Sequence, residues 1–243
     1  MLRHEVSKLL NMCMLGMAAG LFPACDDVLE SIYDNDRVET DDRGSEYGFV
    51  RYDSTTHRGV LYLDCRDFRE WTYVDFHKQT FDTVAITDDG YAQDSLFLPK
   101  GDWDLAFHRY DIRTNGGEGA VTAVSSLDDL SQAGLSALEW TPDEWVTRRI
   151  VVSMDRVFDI LLPDAPSQDV YDYLDYIPGQ LNPVLSDWIR LTYRVGPPDF
   201  DPTGRVYVAR FADGTLCAFH VDSFAHPKTL LKGYLTISFI CPL

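Results

Sequence analysis

The sequence predicts an all-β protein, a twisted antiparallel two-sheet fold with one or two short helices. From about residue 48 onward, apolar and polar residues mostly alternate with a period of two, which is typical of strands with one buried face. Asp213-Gly214 separates two such runs and predicts a tight hairpin. Strands at this density, with little helical spacing, favour a sandwich of antiparallel sheets.

Eight segments carry the strand pattern, and we expect the last of them to be a central strand. In chain order they are 59–65 (GVLYLDC), 70–76 (EWTYVDF), 102–112 (DWDLAFHRYDI), 149–154 (RIVVSM), 188–194 (WIRLTYR), 206–211 (VYVARF), 216–221 (LCAFHV) and 233–240 (GYLTISFI).

Helical spacing is clearest in residues 182–188. Asn182 can cap a helix, Pro183 suits its first position, and Val184, Leu185 and Trp188 follow at helical intervals. Residues 170–177 (VYDYLDYI) fit either another short helix or an irregular aromatic loop.

The first 25 residues follow the plan of a signal peptide. Arg3 and Lys8 precede an apolar stretch at 9–22 that is too short to span a membrane, and small residues lead to Cys25. A cysteine at this point resembles the bacterial lipobox, so residues 1–24 are the expected signal peptide and Cys25 the expected lipid anchor. An ordinary secretory signal with a chance cysteine, or an N-terminal core helix, is the alternative.

The formal charge is −18, from 21 basic and 39 acidic residues. Such a surface repels phosphate backbones, and no basic patch stands out, so no nucleic-acid partner is expected. Residues 25–47 are rich in carboxylates and form an expected acidic tether, followed by one β domain at 48–243. Acidic residues after a lipidated cysteine also resemble the export signal of Bacteroidetes surface lipoproteins, although a solvated linker has the same composition.

Motifs of known enzymes are missing from the sequence, which has no G-x-S-x-G, no P-loop and no H-E-x-x-H, so we expect no enzyme. Cys65, Cys217 and Cys241 share no metal-ligand spacing; at most one disulfide can form among them, and buried free thiols are the expectation. His108 could ligate a metal, but a histidine hydrogen-bonded within the sheet is the expected state.

The most distinctive run is 103–117 (WDLAFHRYDIRTNGG), an aromatic strand face that ends in basic and polar residues and a glycine turn. This run resembles the motif of the HmuY family of haem-binding lipoproteins of Bacteroidetes. Further blocks follow the family order, over nearly the whole β domain: 71–76 (WTYVDF), 181–188 (LNPVLSDW), Pro197-Pro198, 205–210 (RVYVAR), Asp213-Gly214 and 232–239 (KGYLTISF).

The resemblance implies an HmuY-like β fold that holds haem at one end and works in iron acquisition. It also implies a lipid anchor in the outer membrane, at the cell surface, and delivery of haem to a TonB-dependent receptor. Family members hold the haem iron with two histidines or two methionines, one near the strand at 149–154 and one near the strand at 188–194. Neither segment contains histidine here.

The candidate site residues follow from this resemblance and from the chemistry of the side chains. Met154 is the sole methionine after residue 24, and a phenolate can bind ferric iron. Arginines can hold haem propionates through charge-assisted hydrogen bonds. The expected site comprises Met154 and Tyr193 as axial ligands, Phe158 as a wall, and Arg156 and Arg194 as cations.

Residues 164–176 (DAPSQDVYDYLDY) leave the identity of the ligand open. Their tyrosines could wall an apolar ligand, whereas their aspartates would discourage an anionic one. The alternative is therefore a surface lipoprotein that binds a glycan or a peptide without haem, using exposed tryptophan and tyrosine. A structural or adhesive surface protein is a third hypothesis.

Overall fold

The computed structural model describes residues 47–86, 101–153, 175–192 and 199–243. Within these ranges the strands are β1 (Gly48–Asp53), β2 (Arg58–Asp64), β3 (Glu70–Asp75), β4 (Thr80–Ala85), β5 (Leu105–His108), β6 (Asp111–Thr114), β7 (Glu118–Val121), β8 (Thr141–Pro142), β9 (Glu144–Ser153), β10 (Asp175–Leu181), β11 (Ile189–Thr192), β12 (Asp199–Pro202), β13 (Val206–Arg210), β14 (Leu216–Ala225) and β15 (Lys232–Ile240).

All the strand pairs are antiparallel. Seven strands form one sheet in the order β1-β2-β15-β14-β13-β7-β8, and four form a second sheet in the order β4-β3-β5-β6. Two separate two-stranded ribbons, β9–β10 and β11–β12, complete the described strands. The all-β, two-sheet prediction is confirmed, with β15 in the interior of its sheet as expected.

The described helices are short. One α-helix, α1 (Gln132–Ser136), follows Ser131, whose hydroxyl accepts a hydrogen bond from the Gly134 amide and so caps it. Two 3-10 helices span Leu127–Asp129 and Leu185–Trp188. In the described residues no helix is long and apolar enough to cross a membrane.

The main core lies between the two sheets. Successive residues of β13 alternate between its two sides: Tyr207 and Ala209 join the main core, whereas Val206 and Val208 pack on the outer face of the seven-stranded sheet. Apolar side chains from residues 124–140, which include the short helix α1, cover that outer face.

A second core cluster lies on the far face of the four-stranded sheet. Trp71, Tyr73 and Ala106 pack there against Ile150 of β9 and Ile177 of β10. The β9–β10 ribbon therefore forms a further layer, stacked on the four-stranded sheet from outside.

Most predicted strands are confirmed, as are the Asp213-Gly214 turn and its hairpin. In that turn Asp213 accepts a hydrogen bond from the Thr215 amide (2.8 Å), and Gly214 takes a φ of 90° that favours glycine. The strand predicted at 149–154 is the end of the longer β9, and the strand predicted at 188–194 starts at Ile189. β10 is described from Asp175 to Leu181, so residues 175–177 belong to a strand, and both the short helix and the irregular loop predicted for 170–177 are wrong there. Residues 170–174 lie outside the described residues.

Two further predictions are corrected. Residues 102–112 do not form one strand, because Arg109 adopts a positive φ of 51° and turns the chain between β5 and β6. The helix predicted at 182–188 is reduced to the 3-10 helix Leu185–Trp188, with Asp187 already outside helical geometry. The sequence did not predict α1.

Candidate functional site

Each of the two antiparallel ribbons leads into one of the two segments in which the sequence predicts ligand-binding residues. The described part of the β9–β10 ribbon ends at the pair Ser153 and Asp175, and that of the β11–β12 ribbon ends at Thr192 and Asp199. Residues 154–174 thus connect one pair of strands, and residues 193–198 connect the other. The predicted site residues fall in these connections and lie outside the described residues: Met154, Arg156, Phe158, Tyr193 and Arg194. The predicted lipid anchor, Cys25, also lies outside the described residues.

Both ribbons are rooted along β6, the last strand of the four-stranded sheet. The Asn182 amide donates to the Ile112 carbonyl (2.8 Å), and the Ile112 amide donates to the Ser186 hydroxyl (2.9 Å). Just before the start of β6, the Tyr110 carbonyl accepts a hydrogen bond from the Trp188 indole (2.9 Å). The chain between β10 and β11 therefore runs along β6 and supplies the hydrogen bonds that this edge strand would otherwise lack.

The two ribbons leave this edge on opposite faces of the four-stranded sheet. Leu181, at the end of β10, belongs to the core cluster on the outer face. Trp188 and Ile189, at the start of β11, belong to the main core on the inner face. Hence β6 lies between the roots of the two ribbons, and the chain crosses the edge of the sheet within eight residues.

Asn182 fixes this crossing. Its side chain is fully buried: Oδ1 accepts from the Leu185 amide (3.0 Å), and Nδ2 donates to the Thr141 carbonyl (2.8 Å) and to Asp143 (3.1 Å). Asp143 also accepts from the amide and the hydroxyl of Thr114 at the end of β6 (2.8 and 3.0 Å). Burial raises the pKa of Asp143, and these hydrogen bonds oppose the rise. One polar cluster thus joins the start of β9, the end of β10 and the end of β6.

Sequence reasoning found Asn182 only as a helix cap and missed Asp143. The capping role is real, since Asn182 accepts from the Leu185 amide. Asp143 carries no comparable local signal, because its partners lie 29 and 39 residues away along the chain. Residues of this kind become visible only when the strands are placed in space.

Beneath the β9–β10 ribbon lies an aromatic layer that holds a buried arginine. The Arg113 guanidinium lies 4.2 Å from the Trp71 ring and 5.7 Å from the Trp103 ring, and it donates to the Tyr73 hydroxyl. Arg113 is almost fully buried. The cation therefore sits in an aromatic cage, where cation–π contacts and a hydrogen bond offset part of its desolvation.

His108, the predicted sheet histidine, is hydrogen-bonded in the same layer. Nε2 lies 2.6 Å from the Phe68 carbonyl, and Nδ1 lies 3.3 Å from Asp111. The ring stacks on Trp71 and is buried. Both ring nitrogens are thus engaged within the protein, and the interpretation of His108 as a structural residue is confirmed.

A different aromatic group supports the β11–β12 ribbon. Phe200 of β12 pairs with Leu191 of β11, and its ring lies 5.2 Å from that of Phe224 in β14. Trp188 contacts the same Phe224 ring edge-on at 5.6 Å. The second ribbon is therefore packed at its root onto the seven-stranded sheet, whereas the first is packed onto the four-stranded sheet.

A polar cluster lies elsewhere, between the turns that follow β3 and β13. His77 Nδ1 is 3.1 Å from Asp104, and its Nε2 is 3.1 Å from Asp213. Burial works against the charged imidazole, but the hydrogen bond to Asp104, together with the negative charges of Asp104, Asp213 and Asp75, outweighs it and raises the pKa of His77. Burial also raises the pKa of Asp104, although the Phe76 amide and His77 stabilise its charged form.

The same cluster borders a cavity of about 340 Å³ whose lining includes Asp75, Lys78 and Phe211. Ligand atoms of Asp75, His77 and Asp104 lie within 4.8 Å of one another, a grouping that could hold a cation. The Lys78 ammonium already forms an ion pair with the Asp75 carboxylate at 3.2 Å. Both ring nitrogens of His77 also lie beside carboxylates, those of Asp104 and Asp213. We therefore interpret the group as ion pairs that connect the two sheets.

Comparison with known proteins identifies the family. The family model described as HmuY protein matches residues 67–239. A candidate lipoprotein of Bacteroides fragilis NCTC 9343, of known crystal structure, is 32% identical, with 82% of this chain and 98% of that chain covered and a TM-score of 0.69. A candidate HmuY-like haem-binding protein of Bacteroides vulgatus ATCC 8482 is 30% identical, with 82% and 99% covered and a TM-score of 0.65.

The apo HmuY analogue of Tannerella forsythia shares the fold at 19% identity, with 76% of this chain and 96% of that chain covered and a TM-score of 0.58. None of the curated proteins matches the chain. The family model covers well over half of the sequence, and the Bacteroides proteins share the fold along nearly their whole length. This chain belongs to the HmuY family.

Proposed function

We propose that this protein is a surface-anchored lipoprotein that binds haem and passes it to a TonB-dependent receptor in the outer membrane. The observation that carries the proposal is membership of the HmuY family, with a 30% identical relative described as HmuY-like and haem-binding. The 32% identical Bacteroides fragilis relative, described as a candidate lipoprotein, supports the lipid anchor. The proposed mechanism is capture and transfer of haem, without a chemical reaction.

The framework of the two ribbons supports such a role. Asn182, Ser186 and Trp188 hold the roots of both ribbons against one strand, and the connecting segments continue from the opposite ends of these ribbons. A binding site gains affinity when its elements are held in place before the ligand arrives. In the proposed complex, residues 154–174 and 193–198 grip the macrocycle from two sides.

Met154 and Tyr193 are the proposed axial ligands, and Phe158 is the proposed contact with the flat face of the ring. A thioether is a soft ligand that favours ferrous haem, whereas a phenolate favours ferric haem. Arg156 and Arg194 are proposed to hold the propionates, because two local cations offset the repulsion expected from a chain of net charge −18.

A visible titration tests haem binding. The purified protein, mixed with ferric and then with ferrous haem, should give a sharp Soret band at one haem per chain. Met154→Ala and Tyr193→Phe should weaken or shift the band. Matched controls are Leu230→Ala, at a side chain that is 70% exposed, and Tyr52→Phe in β1; neither should change it.

The outcomes separate the parts of the proposal. If wild-type protein gives only the broad spectrum of free haem, haem binding is wrong, and a signal on a carbohydrate or peptide array then supports the alternative ligand class. If the band is sharp and both variants match the wild type, the ligand pair is wrong. Arg156→Gln and Arg194→Gln should each lower the affinity for haem, while Arg58→Gln, at a surface ion pair, serves as the control.

The anchor and the transfer need separate experiments. A Cys25→Ser variant should lose incorporation of an alkyne-labelled fatty acid and should leave the membrane fraction, and unchanged labelling would contradict the anchor. Haem-loaded protein mixed with outer membranes of the producing bacterium should lose its Soret band to the membranes. Membranes from a strain without the receptor gene should leave the band in place, and equal loss to both would contradict specific transfer.

A further inference from the structure

Cys217 and Cys241 face each other across two paired strands. β14 and β15 are antiparallel, with Ala218 opposite Ile240 and Phe219 opposite Phe239. One residue further along this register, Cys217 lies opposite Cys241, which directly follows β15. The two cysteines are therefore cross-strand neighbours although 24 positions separate them in the sequence.

The backbone directions define the type of this pair. The Cys241 amide donates to the His57 carbonyl (2.8 Å), and the Cys241 carbonyl accepts from the Tyr52 hydroxyl (3.3 Å). Both backbone groups of Cys241 thus point away from β14, so Cys217 and Cys241 form a non-hydrogen-bonded pair. In such pairs the Cα atoms lie about 4.5 Å apart and the side chains are close. That separation falls within the range of about 4.4–6.8 Å that a disulfide requires.

The two side chains share one environment. Both belong to the main core, with exposed fractions of 0% for Cys217 and 4% for Cys241, and both are free thiols in the structure. Burial raises the pKa of the Cys217 thiol, and a hydrogen-bond contact with Cys241 raises it further. The sulfur atoms therefore lie near each other on the same face of the sheet.

The third cysteine of the β domain cannot compete for either partner. The Cys65 amide donates to the Gly233 carbonyl, which places Cys65 beside the opposite end of β15 from Cys241. Eight residues of extended strand separate Gly233 from Cys241, a distance of about 26 Å. The Cys65 thiol instead contacts the Thr72 hydroxyl at 4.0 Å.

We propose that Cys217 and Cys241 form a cross-strand disulfide after export, which closes the C-terminal end of β15 onto β14. The proposal rests on the export that the proposed function includes, because disulfides persist in oxidising compartments outside the cytoplasm. Since both thiols are buried in the native protein, the bond forms during folding, before the main core closes.

The oxidant is a disulfide of the thiol-oxidoreductase or glutathione class. One cysteine thiolate attacks it to give a mixed disulfide, and the second cysteine displaces the remaining thiol. Two protons and two electrons pass to the oxidant, which leaves as two thiols, and one S–S bond replaces two S–H bonds in the protein.

Peptide mapping tests the bond directly. The full chain, refolded from denaturant in oxidised and reduced glutathione and then alkylated, should yield a linked peptide pair containing Cys217 and Cys241. Its mass should equal the sum of the two peptides less two hydrogen atoms. A Cys65→Ser variant should keep the linked pair. Recovery of both cysteines as alkylated thiols would overturn the proposal, whatever the haem titration shows.

Thermal unfolding adds a second readout. Refolding with reductant present should lower the unfolding midpoint of the wild type by about 5–10 °C, because the bond closes a loop of some 25 residues in the unfolded chain. The midpoint of a Cys241→Ser variant should not depend on the reductant. Equal midpoints of oxidised and reduced wild type would overturn a stabilising role. If the exported protein carries the bond but shows no Soret band, the disulfide stands and haem binding fails.

Discussion

Replacing Asn182 with alanine is expected to lower the free energy of unfolding by about 3 kcal/mol. The side chain is fully buried, and it satisfies the Leu185 amide, the Thr141 carbonyl and one oxygen of Asp143. A buried partner left without a hydrogen bond costs about 1–3 kcal/mol, and the missing amide also leaves a small cavity. Asp143 keeps its hydrogen bonds from Thr114, so its own loss is small. The total expected loss of stability therefore stays near the middle of the range obtained by adding the costs of the three partners.

Urea unfolding, followed by tryptophan fluorescence, measures this loss. Asn115→Ala is the matched control, because Asn115 is exposed and makes a single side-chain bond, to the Trp103 carbonyl (2.9 Å). Its loss should stay below about 1 kcal/mol. The haem affinity of Asn182→Ala should fall as well, since both ribbons lose their common root. If Asn182→Ala and Asn115→Ala are equally stable, the reasoning about this cluster is refuted.

Two further predictions concern close packing and pH. Gly119→Ala should lower the free energy of unfolding by about 1–3 kcal/mol, because an added Cβ would lie 2.5 Å from Asn182 Oδ1. Gly101→Ala is the control: its added Cβ meets nothing within 4 Å, so the same urea assay should show no change. Because its pKa is raised in the folded state, His77 stabilises the protein fully below the pKa of an unfolded histidine, about 6.5, and loses this contribution as the pH rises through the folded value. The fall in thermal midpoint between about pH 6 and pH 8 should therefore be smaller for His77→Gln than for the wild type, and an identical fall would contradict the ion pairs with Asp104.

Two strands were predictable although both of their faces are apolar, because a clear turn signal separates them. In β13 and β14 the side chains alternate between two apolar environments, and Asp213-Gly214 marks the turn between them. The pattern failed at residues 102–112, because the turn residue Arg109 is itself buried, over the Phe68 ring at 4.0 Å. A buried polar turn leaves no break in the alternation.

The site was predictable only in part. Resemblance to the family places the candidate ligands in the two connecting segments, which lie outside the described residues, and the structure shows how the roots of the two ribbons are held. Apart from the local cap on Leu185, the network around Asn182 depends on contacts across 29 to 41 residues, which no local pattern records. The ligand pair Met154 and Tyr193 remains a prediction that rests on the chemistry of the available side chains.

Hydrogen exchange with and without haem tests the central claim most directly, namely that haem is held between the two ribbons. Addition of one equivalent of ferric haem should slow amide exchange in residues 154–174 and in residues 193–198 together. The α1 segment on the outer face of the seven-stranded sheet should exchange at the same rate in both states. Protection of only one connection, or of neither, would contradict the account.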